Sequence, residues 1–158
     1  MKNYLYLIAI VSFLAIVLTQ CVTLSTHQKR RPKLTDSKIR KVEFVEMGTM
    51  AVPNEVCCLE FQADGRYLAK YGQFGKVDSV FCGQDVADKI YDCLKRGEID
   101  KYKSHYSPKV HALDGHSWSF VVELLDRTVI GSGGYMAYPK DFSAVAETCH
   151  VIKSLFGK

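Results

Sequence analysis

Val56-Cys57-Cys58-Leu59-Glu60-Phe61-Gln62, then Ala63-Asp64-Gly65, then Arg66-Tyr67-Leu68-Ala69-Lys70-Tyr71, is the stretch that decides the fold class. Cys57, Leu59 and Phe61 alternate with Cys58, Glu60 and Gln62, so an extended chain here has one apolar face. Asp64-Gly65 offers the left-handed backbone that a tight hairpin needs. The spacing predicts antiparallel strands at Val56 to Gln62 and Arg66 to Tyr71, with a polar loop around Gly72 and Gly75 beyond them.

Outward from this hairpin, Val42 to Met47 reads as a preceding strand. Asp85 to Arg96 reads as a helix with Val86, Ile90, Cys93 and Leu94 on one stripe. Its first turn is acidic, its last turn holds Lys95 and Arg96, and Gly97 follows, as the helix dipole and a glycine stop favour. Gly97 to Gly115 is polar with scattered aromatics and reads as a connection with at most a short strand. Ser117 to Leu125 and Thr128 to Ser132 read as a second hairpin across Asp126-Arg127. Gly131-Ser132-Gly133-Gly134 lacks the lysine of a phosphate loop and the spacing of a dinucleotide fingerprint, so it reads as a strand end or bulge. A last helix is expected to open at Pro139, burying Phe142, Val145, Cys149, Ile152 and Phe156, and to end at Gly157. The expectation is an α+β fold in the order β-β-β-α-β-β-α: an antiparallel sheet of about five strands with two helices on one face. It reads as two loosely similar β-β-α units after an extra strand.

Charge separates this domain from what precedes it. Residues 42–158 carry 13 Lys/Arg against 16 Asp/Glu, a net of −3, so the overall +4 belongs to the N-terminal region. The domain lacks the basic footprint of a nucleic-acid binder. Ser25 to Lys41 holds Lys29, Arg30, Arg31, Lys33, Lys38, Arg40 and Lys41 against Asp36, and reads as a basic flexible tether. Before it, Tyr4 to Leu18 is uncharged and apolar all round, which predicts a hydrophobic helix serving as signal peptide or membrane anchor over residues 1–24. The expected division is 1–24 signal or anchor, 25–41 tether, 42–158 a single domain.

Leu18-Thr19-Gln20-Cys21 resembles the lipobox of bacterial lipoproteins, although Gln20 stands where that family has a small residue. The resemblance implies lipidation at Cys21 and an exported, lipid-anchored domain. The cluster Lys29 to Lys33 points the other way, because basic clusters stay on the cytoplasmic side, which would make a single-span anchor with a cytoplasmic domain. The signal, the strand–Asp-Gly–strand element and the Trp118 strand, glycines, Tyr138-Pro139 and helix together resemble small exported proteins of unknown function in Bacteroidetes-type bacteria. That resemblance implies an envelope location and carries over no catalytic residue.

Five cysteines follow Cys21. Cys57, Cys93 and Cys149 fall on apolar faces and read as small core residues. The rise of the intervening helix argues against a Cys82–Cys93 bridge. A bridge from Cys57 or Cys58 to Cys82 or Cys149 is sterically open. His105, His111 and His116 lie close in sequence without a zinc-ligand pattern, so neither a metal nor another cofactor is expected. Asp114-Gly115-His116-Ser117 holds triad residue types too close together for triad geometry. Tyr102, Tyr106, Trp118, Tyr135 and Tyr138 cluster near the central connection and the last strand–helix loop, and are the candidate partner surface. The reading is a non-enzymatic, membrane-tethered envelope domain that binds a protein or other envelope partner. Its rival is a thiol-dependent or hydrolytic enzyme using a Cys/His pair such as Cys82 with His105 or His116.

Overall fold

A computed structural model describes residues 31–48, 54–109 and 115–157. The expected N-terminal helix, Cys21 and the basic run through Arg30 lie outside the described residues, as does His111. Among the described residues, no helix is long and apolar enough to cross a membrane.

The domain is α+β, with six strands and two helices. The strands are β1 (Ile39–Met47), β2 (Glu55–Phe61), β3 (Tyr67–Gln73), β4 (Lys76–Cys82), β5 (Ser117–Leu124) and β6 (Val129–Tyr135). The helices are α1 (Gln84–Arg96) and α2 (Ser143–Ser154). Every neighbouring pair in the sheet is antiparallel, in the order β4-β3-β2-β1-β5-β6. β1 to β4 form a meander, and the β5–β6 hairpin joins on the other side of β1.

Register and burial identify the covered face. Val42 pairs with Leu59 and Val122, and Phe44 with Cys57 and Phe120. All six are buried, together with Val86, Ile90 and Leu94 of α1 and Val145 and Ile152 of α2. Each fully buried aliphatic or aromatic side chain contributes about 1.5–3 kcal/mol of apolar burial. The opposite sheet face carries Lys41, Glu43, Glu60, Lys70 and Glu123, with exposed Val77 and Phe81 on β4. Cys58 is on this open face yet only 3 % exposed. The charged side chains of Lys41, Glu43, Glu60 and Lys70 surround it, with ion pairs Lys41–Glu43 at 3.1 Å and Lys70–Glu60 at 3.4 Å. Burial pushes its thiol up to about 11.

The differences from the sequence expectation have local causes. Lys76–Cys82 is a sixth strand, where the expectation had a loop around Gly72 and Gly75 and a fifth strand as the last. Its first four residues are exposed, so it lacks the apolar alternation that betrays a half-buried strand. Gly75, at φ 84°, makes the turn that starts it. β1 begins at Ile39, inside the range read as tether, and backbone Leu125 N–H donates to Lys38 O at 2.9 Å just before it. β6 runs on through Gly131–Gly134 to Tyr135 rather than ending or bulging there. The last helix starts at Ser143, not Pro139, and Asp141 Oδ1 accepts the Ser143 N–H at 2.9 Å. Gly97 to Gly115 holds a short 3₁₀ turn at Ile99–Lys101, and its Ser104–Tyr106 portion hydrogen-bonds along the outer edge of β6.

Candidate functional site

The register places Glu46 of β1, Trp118 of β5 and Gly134 of β6 in one row on the helix-bearing face. Gly134 is what lets Trp118 lie down across β6. A Cβ there would sit 2.7 Å from the indole nitrogen and overlap the Ala137 carbonyl. The indole nitrogen instead donates to Ala137 O at 2.8 Å, which folds the 135–138 loop over the ring. Trp118 is 3 % exposed.

That loop carries Tyr138 onto the indole. The two rings are parallel to within 5°, with centroids 5.7 Å apart. Phe142 meets both edge-on, at 5.0 Å from each. Tyr106 tilts against the indole at 6.0 Å. Offset and edge-to-face rings are the arrangements that aromatic quadrupoles favour. Tyr138 is nevertheless 40 % exposed, and Met136 beside it 38 % exposed, with a left-handed φ of 48°.

The Tyr138 hydroxyl is held from two sides. It donates to Glu46 Oε1 at 2.8 Å and lies 2.5 Å from His116 Nε2. A phenol has one proton. With that proton given to Glu46, the Nε2–H tautomer of His116 donates to the phenol oxygen, and the chain of donation then runs His116 to Tyr138 to Glu46. Burial, and then the neighbouring Glu46 carboxylate, push the Tyr138 pKa up, so the phenol holds its proton. His116 is fixed at both levels, because its backbone carbonyl accepts the Met136 N–H at 3.0 Å. The group therefore presents a fixed aromatic edge.

The other sequence candidates fall on either side of this group. Tyr102 is buried, and its hydroxyl finds no side-chain or backbone acceptor among the described residues. Burial pushes that hydroxyl up to about 12. Tyr102 and Tyr106 line a cleft of about 210 Å³ with Arg96, Lys101, Pro139 and Asp141. Tyr135 is half-buried on the opposite sheet face, in register with Ser117. The candidate aromatics are thus not one surface: Trp118 and Tyr102 are supports, and Tyr138 is the exposed member. Glu46, His116 and Phe142 belong to the group but not to the aromatic list. A Glu at the end of an alternating strand carries no sequence signal for a tyrosine partner 92 positions away.

His105 is exposed, and among the described residues no group of three or more His, Cys, Asp or Glu side chains is placed to hold a metal ion. Ser117 belongs to β5, paired with Met47, and Asp114 lies outside the described residues. Cys57, Cys58 and Cys93 are buried, while Cys82 and Cys149 are half-buried. Burial pushes the Cys58, Cys82 and Cys93 thiols up. For Cys149 the first cause is a hydrogen bond with Cys57, and burial adds to it. No protein-family model matches this chain, and a comparison with curated proteins finds no match.

Proposed function

We propose that the chain is a non-enzymatic, membrane-tethered envelope domain that binds a protein partner, and that the exposed edge of Tyr138 with His116 and Met136 is its contact surface. The observation that carries this reading is the fixed, partly exposed ring of Tyr138, backed by Trp118 and anchored through Glu46 and His116. Rigid aromatic anchors lose little conformational freedom on binding, which is why they concentrate binding energy at interfaces. The raised thiols of Cys58, Cys82, Cys93 and Cys149 support binding over thiol catalysis, since the thiolate is the nucleophile. Export with a lipid on Cys21, and kinship with small exported lipoproteins of Bacteroidetes-type bacteria, belong to the same reading. Both rest on the N-terminal sequence.

The test is the size of the native complex extracted from membranes in mild detergent. Wild-type protein is expected to migrate with a partner, and Tyr138→Ala as the lone chain with its circular dichroism unchanged. Equal migration of the two would overturn the contact surface. Intact mass of the purified protein reads the anchor: a mature chain starting at acylated Cys21 is expected, and an intact Met1 contradicts it.

A further inference from the structure

We propose that Cys57 and Cys149 are a disulfide site joining the sheet to helix α2, closed by exchange with a small-molecule disulfide such as oxidised glutathione. The placement follows from register and helical spacing. Cys57 shares its row with Phe44 and Tyr71, so its side chain leaves β2 toward the helices. Cys149 follows Val145 and Thr148 and precedes Ile152 on the side of α2 packed against the core. Phe142 packs on Phe44 at 6.2 Å and Phe156 on Tyr71 at 5.9 Å, and Phe44 and Tyr71 are the two row neighbours of Cys57. Cys149 stands midway between Phe142 and Phe156 in the chain, so this part of α2 brings it over Cys57, and Cys57 is the first of the groups that push the Cys149 thiol up. A bond between them requires the two Cα atoms to come within about 4.4–6.8 Å.

The other cysteines are placed against competing bridges. Cys58 leaves β2 on the opposite face. Cys82 is on β4, separated from β2 by β3, and adjacent strands are about 4.8 Å apart. It is also displaced along the sheet, in register with Tyr67 and not with Tyr71. Cys93 is on α1 and contacts Arg96.

Cys149 is half-buried and Cys57 is buried, which assigns the order of steps. The Cys149 thiolate attacks one sulfur of the small disulfide, breaking its S–S bond and expelling one thiolate, which takes up a proton. Cys57 then loses its proton and attacks the Cys149 sulfur of the mixed disulfide, expelling the second thiolate. The two cysteines give up two electrons and two protons, and the small disulfide leaves as two thiols. The neighbouring Cys57, burial, and then Glu55 and Glu46 oppose the thiolate at Cys149, so the exchange is slow at neutral pH and faster in alkali. The site does not depend on the contact surface proposed above.

The experiment takes the full chain in detergent, equilibrates it with excess oxidised glutathione or with dithiothreitol, quenches in acid, and maps cross-linked peptides by mass spectrometry. The expected product in the oxidised sample is one cross-link between the peptide holding Cys57-Cys58 and the peptide holding Cys149. It persists in Cys58→Ser and disappears in Cys57→Ser and Cys149→Ala. The thermal midpoint of the oxidised wild type lies above that of the reduced protein, and Cys149→Ala shows no such difference. If a variant does not fold, fragmentation between Cys57 and Cys58 in the wild-type cross-linked peptide decides which of the two is bridged. Free thiols at both positions after oxidation, glutathione left on Cys149 without a cross-link, or a bridge from Cys149 to another cysteine would each overturn the proposal.

Discussion

The Trp118 indole and the Tyr138 ring lie parallel, 5.7 Å between centroids, although one is 3 % exposed and the other 40 %. A surface ring is thereby set on a buried one, and Gly134 makes the arrangement possible. Gly134→Ala places a methyl against the indole and the Ala137 carbonyl. It is expected to destabilise the domain by about 1–3 kcal/mol, the usual cost of overpacking. A urea midpoint shift with tryptophan emission moving toward that of an exposed indole checks it; Trp118 is the single tryptophan.

Alkaline pH tests the anchoring of Tyr138. Its folded pKa is raised above the unfolded value of about 10, so the unfolded chain releases its proton first. The stability contributed by the protonated phenol is complete below pH of about 10 and is lost as pH rises beyond it. Tyr67, Tyr91 and Tyr102 shift the same way, so the wild type is expected to lose stability steeply there. Tyr138→Phe should lower the midpoint at pH 8 and fall less steeply above pH 10. Parallel curves for the two proteins would contradict the Glu46–Tyr138–His116 arrangement.

Tyr67 closes an irregularity in β1. The register slips between Ile39 and Lys41, and the fully buried Tyr67 hydroxyl donates to Ile39 O at 2.9 Å from two strands away. Tyr67→Phe leaves that carbonyl without this donor and is expected to cost about 1–3 kcal/mol. Chemical denaturation reads it, and hydrogen exchange is expected to accelerate first around Ile39.

Cys58 lies under charged side chains on the open face, with its thiol pushed up to about 11. Iodoacetamide should leave it unmodified in the native protein at pH 7 and label it increasingly as pH approaches 11. Peptide mapping gives the occupancy. Rapid labelling at neutral pH would mean that the canopy of Lys41, Glu43, Glu60 and Lys70 does not shield it.

The hairpin at Asp64-Gly65 and helix α1 were legible because each carries a complete local signal: alternation around a turn pair, and an apolar stripe with charged ends. β4 was not, because an edge strand buries little and Val77 and Phe81 point to the open face. The start of α2 was misplaced because Pro139 suits a first helical turn, while its ring is buried beside the 102–106 segment and Asp141, two residues on, accepts the Ser143 N–H where the helix starts. The aromatics of the site were visible as residue types. Their division into supports and an exposed member was not, because it depends on Gly134 facing Trp118 across a strand pair. Glu46 and His116 meet Tyr138 only through tertiary placement, and no spacing in the chain encodes that meeting.

The contact surface is tested most directly by a photo-crosslinking amino acid incorporated at position 136, beside an intact Tyr138, in the full chain in its native membranes; Met136 is 38 % exposed. Position 89, an exposed lysine on α1, serves as the control. The account predicts one discrete protein adduct from position 136 and none from position 89. No adduct at 136, or the same adducts from both positions, would contradict it.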